Sequence, residues 1–117
     1  HFEHQVWMQE MSFYKEQLMS FRHRLEEIAG KYSQQDVLQQ LEHFQNQFIL
    51  QNEQADILLH DLKGHEHILI DKAKENTVAY DHKTFTDHGG MRERVETFIR
   101  LFRELRNEYM KFLSKYM

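Results

Sequence analysis

Apolar residues recur at alternating steps of four and three along three stretches of the chain. The first run is Trp7, Met11, Tyr14, Leu18, Phe21, Leu25, Ile28 and Tyr32. The second is Val37, Leu41, Phe44, Phe48, Gln51, Ala55, Leu58, Leu62, His65 and Leu69. The third is Met91, Val95, Phe98, Phe102, Leu105, Tyr109, Phe112 and Tyr116. A mean spacing of about 3.5 residues keeps one face of a helix turned toward a partner over many turns. Leu38, Leu59 and Ala73 widen the second stripe, and Ile99, Leu101 and Leu113 widen the third. A wide stripe suits a helix that touches two neighbours. The pattern predicts an all-α fold, an elongated antiparallel three-helix bundle with coiled-coil-like heptads, in one domain over residues 1–117.

Punctuation along the chain sets the expected boundaries. Helix 1 spans about 2–30 and ends at Gly30. Helix 2 spans about 34–74, and Ser33 with Asp36 resembles a capping box at its start. At about 1.5 Å per residue it is roughly 60 Å long. Gly64 lies on its outer side and is read as a weak point inside a continuous helix. Residues 76–88 show no helical stripe and are expected to form a loop, with Val78, Tyr80 and Phe85 packing back on the bundle end. Thr86 or Asp87 then caps helix 3, about 89–116, and Gly89 and Gly90 let the chain turn.

A short turn near residue 33 places residue i of helix 1 beside about residue 66 − i of helix 2. If helix 3 turns straight back after the loop, Met91 lies near Lys74 and Tyr116 near Ile49. Leu18, Phe21, Leu25, Leu41, Phe44 and Phe48 then belong to a zone of two helices, too few to bury stripes this wide. A second copy covering those six residues predicts a homodimer. The other solution is a monomer in which the long loop carries helix 3 further along the bundle.

Composition narrows the function. The chain has no proline, no cysteine and four glycines in 117 residues, which favours long helices and removes disulfides and thiolate metal sites. No apolar run approaches the roughly 20 residues that span a bilayer, so no membrane association is expected. The net charge is −4, with the basic excess in residues 91–117 and the acidic excess in residues 33–75. Arg92, Arg100, Arg103 and Arg106 are interrupted by glutamates, which suits pairing between helices better than a nucleic-acid face. No nucleic-acid partner is expected, and the assumed compartment is the cytoplasm.

The stretch 58–71, LLHDLKGHEHILID, concentrates the candidate chemistry. Helix pairing brings His1, Glu3, His4, His60, Asp61, His65 and His67 to one end. Imidazoles and carboxylates on facing helices are what bundle metal sites use. His4, His60, His65 and Asp61 are therefore the metal candidates. Against a site, the sequence contains no His-x-x-x-His and no Glu-x-x-His, the spacings that share one helical face. His23 and Glu27 form a His-x-x-x-Glu pair that flanks the stripe. A buried polar residue in a seam also fixes register, the role expected of Gln51 and His65. If His65 and His4 meet, protonation below about pH 6 loosens that end. No nucleophile motif and no phosphate loop occurs. The reading is a non-enzymatic helical interaction or scaffold module for a protein partner, without cofactor, with a metal-binding bundle as the alternative.

Overall fold

The computed structural model describes residues 2–73 and 77–116, with side chains described over 2–65 and 88–116. Three helices run in order, α1 (Phe2–Ala29), α2 (Gln35–Ala73) and α3 (Thr77–Tyr116), and no strand occurs among the described residues. They form an all-α bundle with extents of 62 × 19 × 18 Å. α1 and α2 pair antiparallel, as do α2 and α3. α1 and α3 run parallel at a constant separation of 84 residues, seen at His4 with His88 and at Tyr32 with Tyr116. Because 84 is a multiple of seven, the buried positions of α1 and α3 come level along their whole shared length.

Burial follows the expected stripes. Met11, Leu18, Phe48, Ala55, Leu62 and Val95 are sealed from solvent, and Leu38, Leu59 and Ile99 pack against them from the flanks. Leu113 joins the core, whereas Leu101 is exposed. The side chain of Ala73 lies outside the described residues.

The ends of α1 and α2 differ slightly from expectation. α1 closes with Gly30 N–H donating to the Glu26 carbonyl at 3.2 Å and Lys31 N–H to the Ile28 carbonyl at 2.9 Å. No glycine takes a positive φ, so this end does not use a left-handed cap. The first bond of α2 runs from Leu38 N–H to the Gln34 carbonyl at 3.0 Å. The cap therefore falls on Gln34, one residue past Ser33, and the Gln34 side-chain oxygen accepts from Ser33 N–H at 3.2 Å. Asp36 still sits in the first turn, where the positive end of the dipole favours it. Facing pairs are displaced by about one turn from the 66 − i rule: Phe21 meets Phe48 at 5.6 Å between ring centroids.

The largest correction concerns residues 76–88. α3 begins at Thr77 and runs unbroken through Gly89 and Gly90, so Thr86 and Asp87 cap nothing. With no proline present and no φ demand on either glycine, the pair costs the helix only about 1 kcal/mol per residue relative to alanine. His88 and Met91, which pack on either side of the pair, offset that. Val78, Tyr80 and Phe85 lie in this helix, and their side chains are outside the described residues.

The helical start of α3 moves its register, and the two-helix zone disappears. Phe112 meets Phe44 at 5.2 Å and Tyr109 meets Phe21 at 5.3 Å between ring centroids. Tyr116 packs against Tyr32, not near Ile49, and its carbonyl accepts from the Tyr32 hydroxyl at 3.4 Å. Leu18, Phe21, Leu25, Leu41, Phe44 and Phe48, expected at a dimer interface, are all buried inside the single chain. The reason for placing a second copy over them was an uncovered face, and α3 covers that face.

Tyr109 sits at the centre of this end, fully buried, with its hydroxyl donating to the Phe21 carbonyl at 2.8 Å. Burial pushes its hydroxyl up to about 12. A raised phenol contributes stability that is whole below its unfolded value near 10 and is lost as pH rises toward 12. Urea melts should weaken between pH 10 and pH 12 in the wild type. Tyr109→Phe should flatten that slope, and equal slopes in the two proteins would refute the assignment.

Candidate functional site

The three helices bring an imidazole each to one end of the bundle. α1 supplies His4, α2 supplies His65 and α3 supplies His88. His4 is completely buried, one heptad step before Trp7. Its ring meets His65 edge-on at 5.0 Å and His88 at 5.1 Å between centroids. Trp7 stacks on His88 at 4.9 Å with 29° between the planes.

A polar line runs outward from this contact. His88 Nδ1 lies 3.3 Å from His4 Nε2, and His88 Nε2 lies 2.6 Å from Glu3 Oε2. A carboxylate accepts only, so His88 Nε2 carries hydrogen and donates to Glu3. Arg92 then clamps the same carboxylate, its guanidinium donating at 3.0 and 3.1 Å. Hydrogen bonds from His88 and Arg92 hold the Glu3 carboxyl below the usual carboxylate range. A lowered carboxyl contributes stability above its unfolded value that is lost as pH falls through the folded one. Because Glu3 is about a third exposed, that contribution is screened by solvent.

Of the metal candidates, His4 and His65 meet, but the other two go elsewhere. His60 is exposed, and Asp61 pairs with Arg94 at 2.8 Å. Among the described residues no three histidine or carboxylate groups are placed to hold a metal ion. The reason is geometric for His60, which stands five positions before His65 and so about 140° round the helix; Asp61, four positions before it and near the same face, is held by Arg94 of α3 instead. His1 and the side chain of His67 lie outside the described residues. His23 stands exposed on α1, apart from this end.

Glu3 belonged to the expected cluster, but His88 and Arg92 did not. The signal for His88 was present, because one further step of three back from Met91 reaches it. Gly89-Gly90 concealed it by suggesting that the helix began there. The other seam residue, Gln51, donates from Nε2 to the Leu101 carbonyl at 3.1 Å. Its Oε1 is buried without a hydrogen-bond partner among the described residues, which fits a residue that fixes register at some cost in stability.

Among the described residues, clefts follow the helix grooves. One between α2 and α3 is lined by Leu50, Gln51, Gln54, Leu101 and Glu104. One between α1 and α2 is lined by Met8, Ser12, Phe13, Glu16 and Leu59. No protein-family model, curated protein or solved structure matches the chain. None of the described helices is long and apolar enough to cross a membrane.

Proposed function

We propose that the protein is a non-enzymatic interaction module, a stiff coiled-coil-like rod whose outer grooves receive a protein partner. One observation carries this reading. The seam residues of the described core are buried within one chain, yet large apolar side chains stand outside it beside the grooves: Phe13 is 54% exposed, Met19 60%, Leu50 52% and Leu101 45%. The first two border the α1/α2 groove and the last two the α2/α3 groove. Apolar side chains flanking a shallow groove, with glutamine and glutamate beside them, suit a helix laid along the bundle.

A photo-crosslinking residue at position 13 or 50 should capture a discrete protein from an extract of the source cells. The same residue at His60, exposed but polar, should not. Failure at all of the exposed apolar positions would remove the reading. Self-association through Leu18, Phe21, Leu25, Leu41, Phe44 and Phe48 would require α3 to leave the core. Sedimentation equilibrium at micromolar concentration should therefore give the mass of one chain.

A further inference from the structure

Resting on the interaction-module reading above, we infer that the α2/α3 groove is its docking face and takes one kind of partner, an amphipathic helix whose apolar stripe is flanked by lysine or arginine. A second heptad seam runs along the outside of this groove. On α2, Gln47, Leu50, Gln54 and Ile57 follow steps of three, four and three. On α3, Thr97, Leu101, Glu104 and Glu108 follow steps of four, three and four. The two helices are tied level by Gln51, which donates to the Leu101 carbonyl at 3.1 Å, and by Arg94, which donates to Asp61 at 2.8 Å. Leu50, Ile57 and Leu101 stand exposed on these seams, and buried Leu58, Phe98 and Leu105 line the floor between them. A repeat of about 3.5 residues carried by two helices at once is matched along its length by a third helix lying on both. An extended peptide repeats every two residues and would fall out of phase with it.

Charge selects which helix fits. The charged side chains lining this groove are Glu93, Arg94, Glu104 and Glu108. Arg94 is engaged by Asp61. Arg100 lies 3.9 Å from Glu104 but lines a neighbouring cleft, and both side chains stay largely in solvent. An occupant therefore meets an acidic rim. The α1/α2 groove has the reverse excess: its charged lining is Lys15, Glu16, Arg22 and Lys63, with Lys15 bound to Asp56. Two grooves that both expose apolar side chains thus present opposite signs. A lysine-flanked helix is attracted to one and repelled by the other, which is how like charges exclude a wrong partner. On α2/α3 its apolar stripe covers Leu50, Ile57 and Leu101, and its ammonium groups reach Glu104 and Glu108.

Two fluorescein-labelled synthetic peptides of three heptads test this, identical in a leucine stripe and differing only in flanks of lysine or of glutamate. At nanomolar concentration neither pairs with itself, and anisotropy is read against the full chain at pH 7.5 in low salt. The lysine peptide should bind roughly tenfold tighter than the glutamate peptide, and added salt should narrow the gap. Glu104→Lys with Glu108→Lys, both at exposed positions, should reverse that order. Leu50→Gln with Leu101→Gln should weaken the lysine peptide. Glu16→Lys, in the other groove, should leave the order unchanged. Equal affinities, no binding of either peptide, or an order that survives the double Glu→Lys change would overturn the assignment. Cross-linked capture through position 13 beside such a result would strike the partner chemistry and leave the interaction module standing, whereas loss of capture at every exposed apolar position strikes the module itself.

Discussion

Phe48→Ala should cost the bundle about 3–5 kcal/mol, the range for removing a large aromatic from a packed core. Phe48 has no exposed surface. Its ring meets Phe21 at 5.6 Å, Phe44 at 6.1 Å and Tyr109 at 4.9 Å, so it touches side chains from all three helices. Aromatic pairs contribute about 0.5–1.5 kcal/mol beyond the area they bury, and Phe48 makes three. Its neighbours are rings that cannot collapse into the space left behind, which places the loss toward the upper part of the range. Urea unfolding gives the value directly. Phe13→Ala is the comparison, since an exposed position away from special features should change stability by less than about 0.5 kcal/mol. The loss at Phe48 should not vary with protein concentration. If residue 48 sat between two copies, the loss would grow on dilution, so one titration separates the two arrangements.

Replacing Gly64, Gly89 and Gly90 by alanine should stabilise the fold by about 3 kcal/mol together, close to 1 kcal/mol per site. None of the three has a positive φ, and a Cβ built on any of them meets nothing within 4 Å. All three lie inside helices. Alanine therefore removes backbone freedom from the unfolded chain and adds no strain to the folded one. For a chain of this size the combined change raises Tm by roughly 10 °C. The sign is the decisive part. A turn at 89–90 that needed left-handed backbone would make Gly89→Ala and Gly90→Ala destabilising. Thermal melts of the three single variants and the triple variant check it, and a drop in Tm at 89 or 90 would show that α3 starts after them.

The periodicity made the core legible residue by residue, because spacing alone decides which side chains share a helical face. Trp7 through Ile28, Val37 through Leu62 and Met91 through Phe112 are buried where their phase puts them, apart from the half-buried Tyr14 and Gln51. Spacing does not decide which neighbour a stripe meets. That depends on how far each connection carries the chain along the bundle axis, and a glycine pair was the strongest local mark of an end. Gly89-Gly90 carries a propensity cost small enough for tertiary packing to override. Misplacing that end by twelve residues moved α3 along the bundle, created a two-helix zone that does not exist, and hid His88. That His4 and His65 share one end was readable because it rests on the first connection, which is short; their contact lies about one turn from the level the 66 − i rule gives. The roles of His88, Glu3 and Arg92 were not, since they depend on the α1–α3 pairing across 84 positions of sequence.

That pairing also constrains how the chain can change in size. α1 and α3 hold the same offset at His4–His88 as at Tyr32–Tyr116, so neither gains on the other between those points. One residue added midway through α1 would rotate every later side chain of that helix by about 100° and carry Leu25 and Ile28 away from the centre. Insertions and deletions in homologous chains should thus come as compensated blocks of seven shared among the helices, and grafting whole repeats is the route to a longer or shorter rod.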